Sequence, residues 1–404
     1  MKHSLPRFGD CSGCGVCVDI CPKSALRQVV DGNGFLRIIT DPSLCIGCKR
    51  CEKACPCLSE AGTPVRSLEK AVPYASWSIN KDIRECGASG GIFAQIGLNI
   101  LVAGNGVVAG AAWFPGNHVR HITAESPEQI RSLQGAKYMQ SDTKGIYNRT
   151  YEYLMQGATV LFSGTPCQCA GLYGYLSGKK YKGILYTAEV ICHGVPSRDI
   201  SLWGIEDNNA TDIVAYRTKS RGWPHSRRMV YNKEGRKIEI QGRSDDFFYR
   251  VFSGDTALRP YCYKCRFARM PRVADITLGD YWGVQSVPEQ MDQGVSLLIV
   301  NSEKGEELLA KYGNYLVYEK TSFADCLPFN YPLYTNARML RYLSLSGAIG
   351  KLRREHPDIG KDLLRIDPAD KLTTRIFYIY TAILRKAHRR WVDKKMNILM
   401  KKLK

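Results

Sequence analysis

Two cysteine runs dominate the chemistry open to this chain. Cys11-x2-Cys14-x2-Cys17-x3-Cys21-Pro22 is repeated 34 residues later as Cys45-x2-Cys48-x2-Cys51-x3-Cys55-Pro56. Three thiolates in a tight loop wrap three corners of an iron–sulfide cubane. The fourth Cys, expected on the helix that follows, points to the other cubane. The pattern assigns Cys11, Cys14, Cys17 and Cys55 to one [4Fe-4S] cluster, and Cys45, Cys48, Cys51 and Cys21 to a second. Gly13, Gly15 and Gly47 keep the loops slim, so backbone N–H groups can approach the sulfurs. Zinc takes four ligands in two pairs, not eight in two such runs. The chemistry is one-electron transfer.

The two runs form the bacterial two-cluster ferredoxin pattern. Four further cysteines are dispersed: Cys167 in GTPCQ, Cys192 in ICHG, and the pair Cys262-x2-Cys265. One tight pair plus two remote singles supplies four ligands for one metal site. The competing reading makes Cys167 and Cys192 buried small hydrophobes, as free Cys often is. Cys57, Cys86, Cys169 and Cys326 have no partner pattern and read as filler, with a reservation for Cys86 because it precedes a Gly-rich turn.

Three loops carry cofactor-type residues. Ser89, Gly90 and Gly91 open an apolar helix, where free N–H groups and the dipole suit a phosphate; the same residues also make an ordinary cap. Thr165, in Ser163-Gly164-Thr165-Pro166-Cys167, follows the strand ATVLF at a strand-to-loop transition of the kind that places ligands at a sheet edge. Asp280, Tyr281 and Trp282 close the segment ADITLGDYWG, and the aromatics suit either the wall of an isoalloxazine ring or the core. Lys137 and the basic run containing Arg217 and Lys219 suit the phosphates of a dinucleotide or an anionic substrate, or simply a solvated face. His193, beside Cys192, reads as a structural histidine or a proton relay.

These residues need elements to position them. The chain has 404 residues, 44% apolar and 24% charged, so it folds, as two or three domains. Strand-like stretches (35–40, 106–113, 159–162, 183–191, 213–217, 295–300) alternate with helical ones (91–103, 126–133, 144–155, 304–311). The expectation is α+β, or mixed α/β. A small dicluster ferredoxin-like domain (1–62) would be fused to a mixed-sheet domain (72–335). A basic helical tail (336–404) would follow, with eleven Lys or Arg and one acid from Lys371 onward. That tail suits an anionic membrane surface, an acidic partner, or packing on the body. The apolar stretch from Ile92 to Phe114 is broken by Gly104-Asn105-Gly106, and reads as helix, turn and strand rather than a membrane span. No secretion signal opens the chain, so 16 Cys point to a reducing, cytoplasmic compartment.

Six ordered segments resemble the beta subunit of coenzyme F420 hydrogenase/dehydrogenase. They are ASGGIF (88–93), GAKYMQSD (135–142), SGTPCQCAGL (163–172), ICHGVPS (191–197), Tyr261-Cys262-Tyr263-Lys264-Cys265 and ADITLGDYWG (274–283). They cover about 72–300. Within the family the chain looks like the bacterial branch with a fused N-terminal ferredoxin, seen beside surface-polysaccharide enzymes. The resemblance implies an FAD-binding core and a third [4Fe-4S] cluster near the flavin, held by Cys167, Cys192, Cys262 and Cys265. It implies electron exchange between iron–sulfur centres and a hydride-type carrier through FAD. The expected partners are a ferredoxin or another electron-transfer protein and a small-molecule acceptor. Coenzyme F420 is one candidate, though no residue here identifies a deazaflavin. A cluster-carrying electron-transfer protein without catalysis is the alternative. The formal charge of +19 is offset by roughly 8 units if three clusters of about −2 each and an FAD pyrophosphate are bound. Nucleic acid is not expected, since the cluster cysteines need no such role.

Overall fold

The computed structural model describes residues 4–60, 62–202, 210–240, 246–253, 255, 258–337 and 401. The basic tail from 338 to 400 lies outside the described residues.

In the N-terminal module, β1 (Leu26–Val30) and β2 (Leu36–Thr40) form an antiparallel hairpin between the two cysteine runs. Each run ends in a four-residue helix, Val16–Asp19 or Arg50–Lys53. These helices carry the third cysteine, Cys17 or Cys51, and stop before the fourth. The expectation that Cys21 and Cys55 ride on the helices is corrected. Each precedes a proline, which disfavours helical backbone at the residue before it.

The rest is built on one eight-stranded sheet. Its strands are β3 (Val72–Ser78), β4 (Gly106–Phe114), β5 (His118–Ala124), β6 (Thr159–Gly164) and β7 (Ile184–Val190), with β11 (Ile276–Asp280), β12 (Ser296–Val300) and β13 (Leu316–Lys320). The order is β13-β3-β12-β11-β7-β6-β4-β5. The middle four strands, β4, β6, β7 and β11, run parallel, and the flanking pairs are antiparallel. The mixed α/β class expected from the alternating pattern holds. A three-stranded sheet of β8 (Ala210–Ala215), β9 (Met229–Asn232) and β10 (Lys237–Glu239) covers one side.

Both faces of the central strands are buried, as parallel strands require. On β6, Leu161 points into a core with Ile96, Ile100 and Tyr186, while Val160 and Phe162 point into a second core with Tyr147, Leu172 and Leu185. The first core receives the helix Ile92–Val102, which is followed by a turn and β4, as the broken apolar stretch predicts. The second receives the helices Ile146–Met155 and Pro166–Leu176. Among the described residues no helix is long and apolar enough to cross a membrane.

Candidate functional site

The module is bolted to the sheet domain through its first cysteine loop. Arg259, fully buried, donates from Nε to the Cys11 carbonyl and from Nη1 to the Leu36 carbonyl, both at 2.8 Å. Tyr147 Oη and Thr143 Oγ1 both donate to the Cys14 carbonyl, at 2.6 and 2.8 Å. Gln140 donates to the Gly13 carbonyl at 3.1 Å. Gly13 and Gly15 hold φ of +79°. A Cβ on Gly13 would collide with Gln140 and Arg259, and one on Gly15 with Thr143. Their slimness therefore serves docking against the sheet domain.

The cysteines of the two runs gather as the spacing predicts. Cys21, Cys45, Cys48 and Cys51 line one small hollow of about 20 Å³. Cys11 and Cys51 lie close enough to Cys17 for their thiolates to repel it, and Cys14 does the same to Cys55. Burial pushes the Cys14, Cys17 and Cys51 thiols up. Among the described residues no three His, Cys, Asp or Glu side chains converge on a single-ion site. A cubane asks for something different: four thiols on separate corners, each on its own iron. Crowded, buried thiols of this kind are stable as thiolates only around a cationic core, which deprotonates its ligands outright. The donor set fits iron–sulfur clusters.

The dispersed cysteines also meet. Cys192 is repelled by Cys262, Cys167 and Cys265, and Cys167 by Cys265. Burial raises the thiols of Cys167 and Cys265 to about 12 and that of Cys262 to about 11. All four retain partial exposure, and Cys167 and Cys192 open onto a cavity. Cys57, read as filler, lies among the other cysteines. It is hydrogen-bonded to Cys55 and close to Cys14, Cys167 and Tyr261, between the first run and the dispersed set. Its position in Cys55-Pro56-Cys57 was the one available signal. Cys169 and Cys326 are fully buried in the cores, as filler should be. Cys86 ends the helix Lys81–Cys86 and is absent from the cavity lining.

The cavity has a volume of about 690 Å³, within the size range of cofactor sites, roughly 300–1,000 Å³. It opens at the carboxyl ends of the parallel strands, through Thr165 after β6, Cys192 after β7 and Asp280 at the end of β11. That is where open α/β sheets bind ligands. Ser12 and Gly13 of the module also line it.

Six of the eight residues singled out as cofactor ligands line this cavity: Ser89, Gly91, Lys137, Thr165, Arg217 and Asp280. Gly90 and Lys219 stand behind the wall. The Gly90 N–H is bound to Ser296 Oγ, and Lys219 Nζ donates to the carbonyls of Arg84 and Ser89, fixing the loop. Lys137 Nζ donates to the Gln134 carbonyl at 2.6 Å, and burial pulls its pKa down to about 7. Burial works against the Arg217 charge, but the paired Asp280 carboxylate holds it firmly protonated. Arg217 also faces Trp282 at 5.3 Å, and Trp282 stacks on Trp223 with ring centroids 4.9 Å apart. Arg217 Nε is buried with no hydrogen-bond partner among the described residues. Tyr281 belongs to the core and Trp282 to the cavity wall. His193 is satisfied on both sides, by Tyr331 Oη at 2.7 Å and the Phe252 carbonyl at 3.1 Å, with an Asp255 carboxylate oxygen 2.7 Å from the same Nε2.

Two family models match segments that agree with this layout. Residues 157–324 match the model for the C-terminal part of the coenzyme F420 hydrogenase/dehydrogenase beta subunit. Residues 10–58 match the 4Fe-4S dicluster domain. No curated protein matches the chain. A solved structure described as xenon derivatization of the F420-reducing [NiFe] hydrogenase complex from Methanosarcina barkeri contains a similar chain, at 16% identity and a TM-score of 0.44, over 74% of this chain and 97% of that one. The chain thus joins a segment that matches the 4Fe-4S dicluster domain to one that matches the C-terminal part of the coenzyme F420 hydrogenase/dehydrogenase beta subunit, and is an iron–sulfur protein of the oxidoreductase electron-transfer type.

Proposed function

We propose that the chain is an iron–sulfur flavoprotein that passes electrons between a ferredoxin-like carrier and an organic two-electron acceptor. Domain 1–62 holds two [4Fe-4S] clusters on the eight cysteines of the runs. Domain 72–335 holds a third on Cys167, Cys192, Cys262 and Cys265, and FAD in the 690 Å³ cavity. FAD, when bound, converts one-electron transfers into two-electron chemistry. The observation that carries this reading is the shared wall: Cys167 and Cys192 line the same cavity as Ser89, Gly91, Lys137 and Trp282.

The chain's own residues have separable tasks. The Ser89–Gly91 loop, pinned by Lys219, presents N–H groups at the start of the helix Ile92–Val102. Lys137 and Arg217, both on the cavity wall, offer positive charge to anionic groups of a cofactor or acceptor. Trp282, fixed against Trp223, gives a flat apolar wall that excludes water. Thr165 Oγ1 lies 3.2 Å from Cys167 Sγ, and hydrogen bonds to ligand sulfurs are one of the levers on cluster potential. Coenzyme F420 is the first acceptor to try, given the family the chain matches.

Anaerobic purification with iron, sulfide and flavin counted per chain tests the reading. About twelve iron and one FAD is the expected result for three cubanes and a flavin. About eight iron and no flavin would leave a cluster-carrying electron-transfer protein that serves a partner enzyme.

A further inference from the structure

The two cysteine loops are sequence repeats, but they differ at the residues between the ligands. Ser12, Gly15 and Val16 of the first loop correspond to Ile46, Lys49 and Arg50 of the second. Ser12 and Val16 are buried against the sheet domain. Ile46 is 58% exposed and Leu44 47%, and Cys48 itself reaches the surface. Lys23 and Lys49 line the hollow that holds Cys21, Cys45, Cys48 and Cys51. Counting residues 21–27 and 41–53, Lys23, Arg27, Lys49, Arg50 and Lys53 stand against Asp41 and Glu52, a net +3. Those two acids are engaged, Asp41 by Ser43 at 2.5 Å and Glu52 by the Ser4 N–H at 2.7 Å. The cationic strip continues onto the sheet domain, where Lys179 lies close enough to Arg50 for their charges to repel.

An exposed cluster loop, an apolar tip of two side chains and a rim that stays cationic, by about one unit, even beside a cluster of about −2 sit together on one face. We propose that this face docks an acidic one-electron carrier protein. Leu44 and Ile46 would form the contact and the basic rim would steer the approach. The proposal names the docking place for the carrier in the function proposed above, and rests on that reading. Each encounter oxidises the carrier by one electron and reduces this chain by one. The carrier is favoured over a lipid surface because the apolar contact sits directly over the cysteine loop. It is favoured over the basic tail because this face brings a carrier to Cys48.

The test uses the full chain, purified anaerobically, with an acidic plant-type [2Fe–2S] ferredoxin as the probe. Binding of the oxidised ferredoxin is measured by calorimetry at low salt and in 0.5 M NaCl. Lys23→Glu/Lys53→Glu should weaken binding about tenfold or more, and high salt should erase the difference. Lys394→Glu/Lys395→Glu in the tail should stay within about twofold of the parent. Reduction of the chain by photoreduced ferredoxin should slow by the same factor as binding, while reduction by methyl viologen radical should not slow. Unchanged binding in the loop variant overturns the proposal. So does loss in the tail variant, or preference of the loop face for anionic vesicles over ferredoxin. None of these readouts needs a flavin. A chain without FAD that still binds through this face breaks the functional reading alone, and a flavin-loaded chain indifferent to the loop variant breaks this proposal alone.

Discussion

Cys14 and Cys48 hold equivalent places in the two runs, yet Cys14 is 6% exposed and Cys48 lies at the surface. The loop around Cys14 is held by Arg259, Tyr147, Thr143 and Gln140. The loop around Cys48 presents Ile46, Lys49 and Arg50 to solvent. Lys49 even occupies the positive-φ position, +59°, that Gly15 fills at +79°. A lysine is tolerated there because Lys49 stands exposed, whereas Thr143 occupies the space a Cβ on Gly15 would need. One repeated motif thus yields an inner loop beside the cavity and an outer loop facing solvent. The ligand spacing sets the chemistry, and the residues between the ligands set the direction each centre looks.

The sharpest way to break this comparison is to remove the proposed link between the inner centre and the cavity. Cys192→Ser should lose about four of roughly twelve iron per chain and slow flavin reduction through the module roughly 100-fold. Iron analysis and stopped-flow reduction measure both. Cys48→Ser should lose a similar amount of iron yet leave the thermal midpoint nearly unmoved, because its loop is exposed. If Cys48→Ser unfolds the protein and Cys14→Ser does not, inner and outer have been misassigned.

Next in size is the bolt between module and sheet domain. Arg259→Ala should cost about 3 kcal/mol, because two part-buried carbonyls lose a charged donor. Its outer counterpart, Lys53→Ala, should fall within about 0.5 kcal/mol. Denaturant melts of both variants check the ratio, and limited proteolysis of Arg259→Ala should release the module first.

How much of this was legible beforehand follows from the kind of signal each feature leaves. Cysteine spacing is nearly context-free, so the gathering of Cys21 with Cys45, Cys48 and Cys51 could be read directly. The strands β6 and β7 carry apolar runs long enough to announce themselves. In contrast, β3 reads VPYASWS, with a proline and small residues, and gains its strand geometry from pairing with β12 and β13 on both sides. β5 reads HVRHITA and is an edge strand whose polar alternation hides it. Lys219 looked like a phosphate ligand by composition, but its partners are backbone carbonyls 130 and 135 residues away, which no local pattern encodes. Cys57 left only a local signal, its place in Cys55-Pro56-Cys57, because its other neighbours Cys14, Cys167 and Tyr261 come from three distant segments.

A smaller effect separates the buried interior from the outer loop by pH. His121 is buried against Ser141 and the Ser163 carbonyl, and burial pulls its pKa down to about 4. The unfolded chain takes up that proton near pH 6.5, so between about 6.5 and 4 the unfolded state binds more protons and stability falls as pH falls. At pH 5 the loss is about 2 kcal/mol relative to pH 7.5. His121→Gln should flatten the pH slope by that amount in denaturant melts. Charge changes at exposed Lys49 or Arg50 should leave the slope unaltered.

The smallest predicted effect is the most discriminating. Tyr147→Phe deletes one of two donors to the Cys14 carbonyl, and Thr143 Oγ1 remains at 2.8 Å. The acceptor is never left bare, so the cost should be only about 1 kcal/mol. Thr143→Val alone should cost a similar amount for the same reason. Together they strip the carbonyl of both hydroxyl donors in a buried setting, and the double variant should exceed the sum by about 1 kcal/mol. Electron paramagnetic resonance of the reduced protein should show the inner centre's signal altered in the double variant and the outer centre's unchanged. A purely additive cycle, or equal changes in both signals, would mean that the Cys14 loop is no more tightly held than its outer repeat.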